Sequence, residues 1–146
     1  MLSRFAIDPA HASSTCEVRV RFCETDLMGI VHHASYLPWF ELARIEWLRQ
    51  RGVTYRDWAQ QSVHLPVVDV FCEYKKPALF DDVLTITTML SEVRSASLRF
   101  GYLIKREGDV IASGTTRLAC VNAEHRPIRF PQFVLDVLRA SEPEAR

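Results

Sequence analysis

Residues 36–52 read YLPWFELARIEWLRQRG, and nine of the thirteen positions from Tyr36 to Leu48 are apolar. These side chains surround the axis of a helix instead of lining one stripe, which is the pattern of a helix buried on most sides. Ser35 is a candidate N-cap, Gly52 a candidate C-terminal stop, and Pro38 falls in the first turn, where no intrahelical donor is lost. The spacing predicts a helix over 35–51.

Upstream, CEVRVRF at 16–22 alternates strictly. It predicts a half-buried strand with Cys16, Val18, Val20 and Phe22 on the inner face and Glu17, Arg19 and Arg21 on the outer. Downstream, TYRDWAQQ at 54–61 suggests a short second helix. Four long β-branched segments follow, at 63–75, 83–94, 97–106 and 110–122, and PQFVLDVLRA at 131–140 reads as a terminal helix. The links between the four segments are short, so antiparallel pairing of consecutive strands is the expectation. The implied fold is α+β, a long central helix wrapped by a curved five-stranded antiparallel sheet. It forms one domain over 15–140, between a leader at 1–14 and a tail at 141–146. One sheet of five strands cannot cover a helix apolar on all sides, so the uncovered side predicts self-association, most simply as a two-fold dimer.

Composition narrows the function. The 146 residues carry 18 Lys+Arg and 18 Asp+Glu, a net charge of zero, with no basic block. That balance speaks against nucleic acid as a partner. No apolar run approaches the ~18–20 residues of a membrane span, and residues 1–14 lack the apolar core of a secretory signal. No integral membrane association and a cytoplasmic location are the expectations. Cys16, Cys23, Cys72 and Cys120 stand far apart without a CxxC pair, which reads as reduced thiols. Adjacent His32 and His33 cannot chelate one metal from a regular face, so no metal is expected. There is no glycine-rich phosphate loop and no G-x-S-x-G elbow.

The chemistry concentrates in residues 24–36, ETDLMGIVHHASY. Asp26 precedes Gly29 in a loop that feeds the helix start, where unpaired amides and the helix dipole favour a developing negative charge. A carboxylate beside them can attack a carbonyl, or activate water to do so, while the amides hold the carbonyl oxygen. From residue types alone an Asp in a loop before a helix reads more readily as a turn or cap residue. Gly29 allows either a close backbone approach or a positive φ. Glu41 and Arg44 lie three apart on the helix, as do Glu46 and Arg49, and i,i+3 ion pairs are expected of both.

Residues 22–52 resemble the hotdog-fold acyl-CoA thioesterases of the 4-hydroxybenzoyl-CoA thioesterase family, closest to the branch associated with the Tol-Pal system. The shared pattern is an acid-Thr-Asp-x-x-Gly-(Ile/Val)-Val-x-His-x-x-Tyr-Leu signature. EYKKPALFDDVLTI and SGTTRLACVN resemble the family's later strands, and the likeness spans residues 15–131. It implies hydrolysis of an acyl-CoA thioester without a cofactor, by a homodimer or a homotetramer. Asp26 would be nucleophile or general base, and the His33 amide would polarise the carbonyl, with the His33 side chain lining the pocket. Gly29, Ser35 and Tyr36 would touch substrate, Tyr36 equally as a packing residue. Arg94 would meet the CoA phosphates, and Glu41 is a secondary catalytic candidate. Glu24 and Ser35 replace the family's usual Asp and Asn. A hydratase or dehydratase acting on acyl thioesters, or a non-catalytic acyl-CoA or hydrophobic-ligand binder, is the alternative.

Overall fold

The computed structural model describes residues 13–139; the expected tail at 141–146 and most of the expected leader lie outside them. Ten elements make up the described residues. Strand β1 (Ser13–Arg19) leads through a 3-10 turn at Phe22–Glu24 and a second at His33–Ser35 into helix α1 (Tyr36–Arg49). Helix α2 (Tyr55–Ala59) and strands β2 (Val67–Tyr74), β3 (Val83–Val93), β4 (Ser97–Arg106) and β5 (Asp109–Ala119) follow, and α3 (Gln132–Leu138) closes the described chain. Among the described residues no helix is long and apolar enough to cross a membrane.

The five strands form one antiparallel sheet in the order β1-β3-β4-β5-β2. Consecutive pairing therefore holds for β3-β4-β5 and fails for β2 and β3, which stand three places apart. The physical reason lies in the link at 75–82, which is longer and better bonded than a hairpin turn. Lys75 and Lys76 donate their amides to Ile111 O of β5, the Arg106 guanidinium donates to Pro77 O, and the Asp81 amide donates to Val20 O beyond β1. The link thus runs across the ends of β5 and β4 and delivers the chain to the far side of the sheet. Its last turn is closed by Asp82, whose carboxylate accepts from the Leu79 amide at 2.8 Å and pairs with Arg106 at 2.7 Å. Partial burial would raise the Asp82 pKa, but these two partners outweigh it and hold the carboxyl below its ordinary range.

Alternation in the sheet matches the inner face of a wrapped helix. On β3, Leu84, Ile86, Thr88 and Leu90 are buried, and on β4, Leu98, Phe100, Tyr102 and Ile104. Against them α1 sets Tyr36, Trp39, Phe40, Ala43, Trp47 and Leu48. Phe40 stacks on Tyr102 with centroids 4.3 Å apart, and Trp47 meets Phe100 edge-on at 5.3 Å. Each such fully buried side chain stabilises the fold by about 1.5–3 kcal/mol relative to exposure. Gly114 of β5 is the point of closest approach: a Cβ there would stand 2.4 Å from Phe71 O and 2.7 Å from Phe40 Cζ.

Several expectations need correction. Strand β1 spans Ser13–Arg19, starting three residues before 16 and ending three before 22. Val20 still points inward, but Phe22 has entered the 3-10 turn, is 77% exposed, and packs only edge-on against Phe80. Helix α1 ends at Arg49, two residues before the expected 51, and the chain turns out of it at Gly52, whose φ is 82° and whose amide donates to Arg49 O. Its start differs. Ser35 makes no side-chain cap; His32 Nδ1 accepts from the Ala34 amide at 3.1 Å and caps the preceding turn instead. Glu46 pairs with Arg49, whereas Arg44 turns away from Glu41 into the core, 6% exposed, and donates to the Tyr102 hydroxyl at 3.3 Å. Tyr102 in turn shares a 2.6 Å hydrogen bond with Thr116 Oγ1.

Nor is α1 enclosed on every side. Leu37 and Leu42 stay about half exposed, and so do Val67, Val68, Val70, Phe71 and Tyr74 of β2, an edge strand that among the described residues pairs only with β5.

Candidate active site

The loop from Thr25 to His32 is held on two sides. Its mouth closes on itself through an antiparallel bridge between Thr25 and Val31 and a 2.9 Å bond from the Asp26 amide to Ile30 O. Its return arm lies on the crossover link: the Val31 amide donates to Ala78 O at 2.8 Å, and Ile30 bridges Leu79. At the tip, Asp26 Oδ1 accepts from the Met28 amide at 2.8 Å and Asp26 O from the Gly29 amide at 3.0 Å. Gly29 has φ 80°, and a Cβ added there would meet nothing within 4 Å. The positive φ is the conformation this turn requires, and it is one that glycine adopts without strain.

Both readings of Asp26 coexist in this arrangement. One carboxylate oxygen builds the turn, while the other accepts no bond from the described residues and faces solvent. Around it stand large apolar side chains that no core claims. Leu27 is fully exposed, Met28 is 80% exposed, and Phe22, Leu79 and Phe80 are close to half exposed or more. Such a rim suits an apolar ligand group or a second protein surface.

The 3-10 turn His33–Ser35 brings the helix start to the loop. The His33 amide opens this turn and finds no acceptor among the described residues. Its neighbours are all committed: the His32 amide to Glu24 O at 2.8 Å, the Ala34 amide to His32 Nδ1, and the Ser35 amide to His32 O at 2.9 Å. An accepting Nδ1 places the proton of neutral His32 on Nε2. The His33 ring is exposed and stacks on His32 with centroids 4.3 Å apart. The peptide beyond His33 is fixed from β2, where the Tyr74 hydroxyl donates to His33 O at 3.0 Å.

Other candidates scatter. Ser35 Oγ is occupied as a donor to Glu24 O at 3.1 Å. Tyr36 is 2% exposed and packs edge-on against Trp39 and Tyr74, and burial pushes its hydroxyl up to about 12. Of its two open roles, packing fits this position. Glu41 is exposed and lines a groove between α1 and β2, about 340 Å³ in volume, with Leu37, Phe40, Arg44, Val67 and Val70. Arg94 follows the end of β3, eleven residues beyond Val83, whereas the Asp26 loop adjoins the beginning of β3. Along an extended strand that separation is roughly 35 Å, so one chain does not bring Arg94 to Asp26. Arg94 pairs with Glu92 and lines a polar pocket of about 260 Å³ with Asp69, Arg99 and Arg117. Among the described residues no cluster of His, Cys, Asp or Glu could hold a metal ion.

Three residues of this site are not singled out by the sequence pattern: His32 as the cap, Tyr74 as the clamp on His33, and Glu24 as a buried carboxylate. Glu24 enters the sequence reading only as the acid that opens the signature, which carries no sign of its burial.

Comparison with known proteins agrees with this architecture. Residues 20–138 match the thioesterase-like superfamily. The chain is 34% identical over 119 residues to the acyl-CoA thioesterase YbgC of Haemophilus influenzae, covering 80% of this chain and 88% of that one. It superposes on the DHNA-CoA thioesterase of Staphylococcus aureus with a TM-score of 0.80 at 30% identity, covering 85% of each chain. A hypothetical protein from Thermus thermophilus gives a TM-score of 0.82 at 36% identity, over 86% of this chain and 95% of that one. With its sheet order, its long central helix and the match over residues 20–138, the chain belongs to the thioesterase-like superfamily and has the hotdog fold.

Proposed function

We propose that this protein hydrolyses acyl-CoA thioesters at the loop-and-turn site of Asp26 and His33. The observation that carries the reading is the pairing of an unengaged Asp26 carboxylate oxygen with the one uncommitted amide of the adjoining 3-10 turn, inside an apolar rim. The thioester carbonyl oxygen takes the His33 amide, whose dipole stabilises the negative charge that develops there. Asp26 attacks the carbonyl carbon to give an acyl-carboxylate anhydride that water then opens, or it takes a proton from the attacking water. By either course one water is consumed, the acyl carbon–sulfur bond breaks, and CoA leaves as the thiol. Acyl-CoA hydrolysis is also the activity in the name of the Haemophilus relative.

The working unit is a homodimer formed through β2 and the uncovered side of α1. An unpaired edge strand with five exposed large apolar residues supports this, since such an edge pairs readily with a second copy. The outer sheet face, with Phe71, Met89 and Leu103 around a shallow groove, offers a second apolar surface for a tetramer. Arg94, with Arg99 and Arg117, serves the CoA phosphates from a partner subunit, because its own chain holds it far from Asp26. The four free thiols fit a reducing, cytoplasmic setting.

A panel of acyl-CoAs of graded length, with aromatic members, assayed for thiol release tests the reaction, and hydration of an enoyl-CoA is followed in parallel. Thiol release is expected. Hydration without thiol release marks a hydratase, and binding without either marks a carrier.

A further inference from the structure

Glu24 is 7% exposed, yet it carries a carboxylate at the foot of the Asp26 loop. Its Oε1 accepts from the Arg21 amide at 2.7 Å, and its Oε2 from Trp39 Nε1 at 2.9 Å and from Arg21 Nη2 at 3.2 Å. Its backbone oxygen accepts from the His32 amide at 2.8 Å and from Ser35 Oγ at 3.1 Å. One residue thus bonds Arg21 at the end of the strand segment, His32 at the close of the loop, Ser35 of the 3-10 turn and Trp39 of the first turn of α1. Asp26 lies two residues after it, and the His33 amide one residue after the His32 amide that it holds. We infer that Glu24 is a positioning residue, fixing Asp26 relative to the His33 amide by tying both to Trp39 of α1.

A carboxylate is required at this point because every group facing it is a donor. Glutamine offers one acceptor oxygen and an NH2 group. Whichever way the amide is turned, its NH2 faces the Arg21 amide or the Trp39 indole, so one tie is lost. Displacement of reacting groups by about 1 Å costs on the order of 100-fold in rate. The inference rests on the reading of Asp26 as the reacting carboxylate, and the test separates the two.

Glu24→Gln, Trp39→Phe, Asp26→Asn and the double variant Glu24→Gln/Asp26→Asn are compared for kcat, KM and thermal midpoint on the best acyl-CoA. Glu24→Gln is expected to lower kcat by about 10- to 100-fold, with KM within about twofold and the folded state retained. Glu24→Asp, which keeps the charge, should recover part of that loss. Trp39→Phe should shift kcat in the same direction. In the Asp26→Asn background Glu24→Gln should add nothing, because no reacting carboxylate remains to be placed. Wild-type kcat in folded Glu24→Gln beside an inactive Asp26→Asn overturns the role of Glu24 alone. Should Glu24→Gln not fold, wild-type kcat in Trp39→Phe overturns it. An undiminished further loss in the double variant overturns it too, by showing that Glu24 does not act through Asp26. Near-normal turnover in Asp26→Asn overturns the reading of Asp26, and the inference with it.

Discussion

Asp26 shows how one side chain can build a turn and remain available for chemistry, since a carboxylate has two oxygens and the Met28 amide takes only one. Its position was legible in the sequence through the acid-Thr-Asp-x-x-Gly spacing. The side-chain partners were not, because residue type does not say which acid is buried. Glu24 and Asp26 stand two positions apart and differ by one methylene, yet the first is enclosed and the second open. Ser35 illustrates the same limit: its type suits an N-cap, but the carbonyl of Glu24 lies within reach and takes its hydroxyl instead. At Gly114 the side chain that is missing matters most. Gly114→Ala would place a Cβ against the Phe71 carbonyl and the Phe40 ring, and backbone cannot yield as a flexible side chain can. We expect a loss of about 1–3 kcal/mol, read as a lower midpoint in urea unfolding with an unchanged slope.

Among the elements, α1 and the β3-β4-β5 meander were legible because their periodicities are long and unbroken. The place of β2 was not. Its short apparent link to β3 suggested a hairpin, while the bonds that carry the link across the sheet end come from Ile111, Arg106 and Val20, distant in sequence. The displaced β2 leaves its outer edge unpaired among the described residues and its apolar side chains about half exposed, with Val67 and Val70 facing Leu37 of α1 across one groove. Burying such side chains against a second copy is favourable by roughly 25 cal/mol for each Å² removed from water. The chain of 16.8 kDa is therefore expected to sediment at twice that mass at micromolar concentration. The variant Val68→Asp/Val70→Asp should stay folded, sediment as a monomer and lose turnover. A wild-type monomer at tens of micromolar would contradict this account of the edge.

For the whole molecule, zero net charge acquires a local meaning. A substrate bearing several phosphate charges must find cations gathered in one place, and Arg94, Arg99 and Arg117 share one pocket at the far end of the sheet from Asp26. Within a single chain the two ends are too far apart to meet on one thioester, so the proposed dimer and the proposed chemistry depend on each other. The apolar rim of Leu27 and Met28 belongs to the same picture, as it lies at the open end of the site, while Trp39, Trp58 and Val63 are taken up by the core. The dependence of hydrolysis on Asp26 tests the account most directly, through CoA thiol release by the wild-type protein and by Asp26→Asn at matched concentration and oligomeric state. The account predicts a fall in kcat of about 10²- to 10⁴-fold with the thermal midpoint preserved, and near-normal thiol release by folded Asp26→Asn would contradict it.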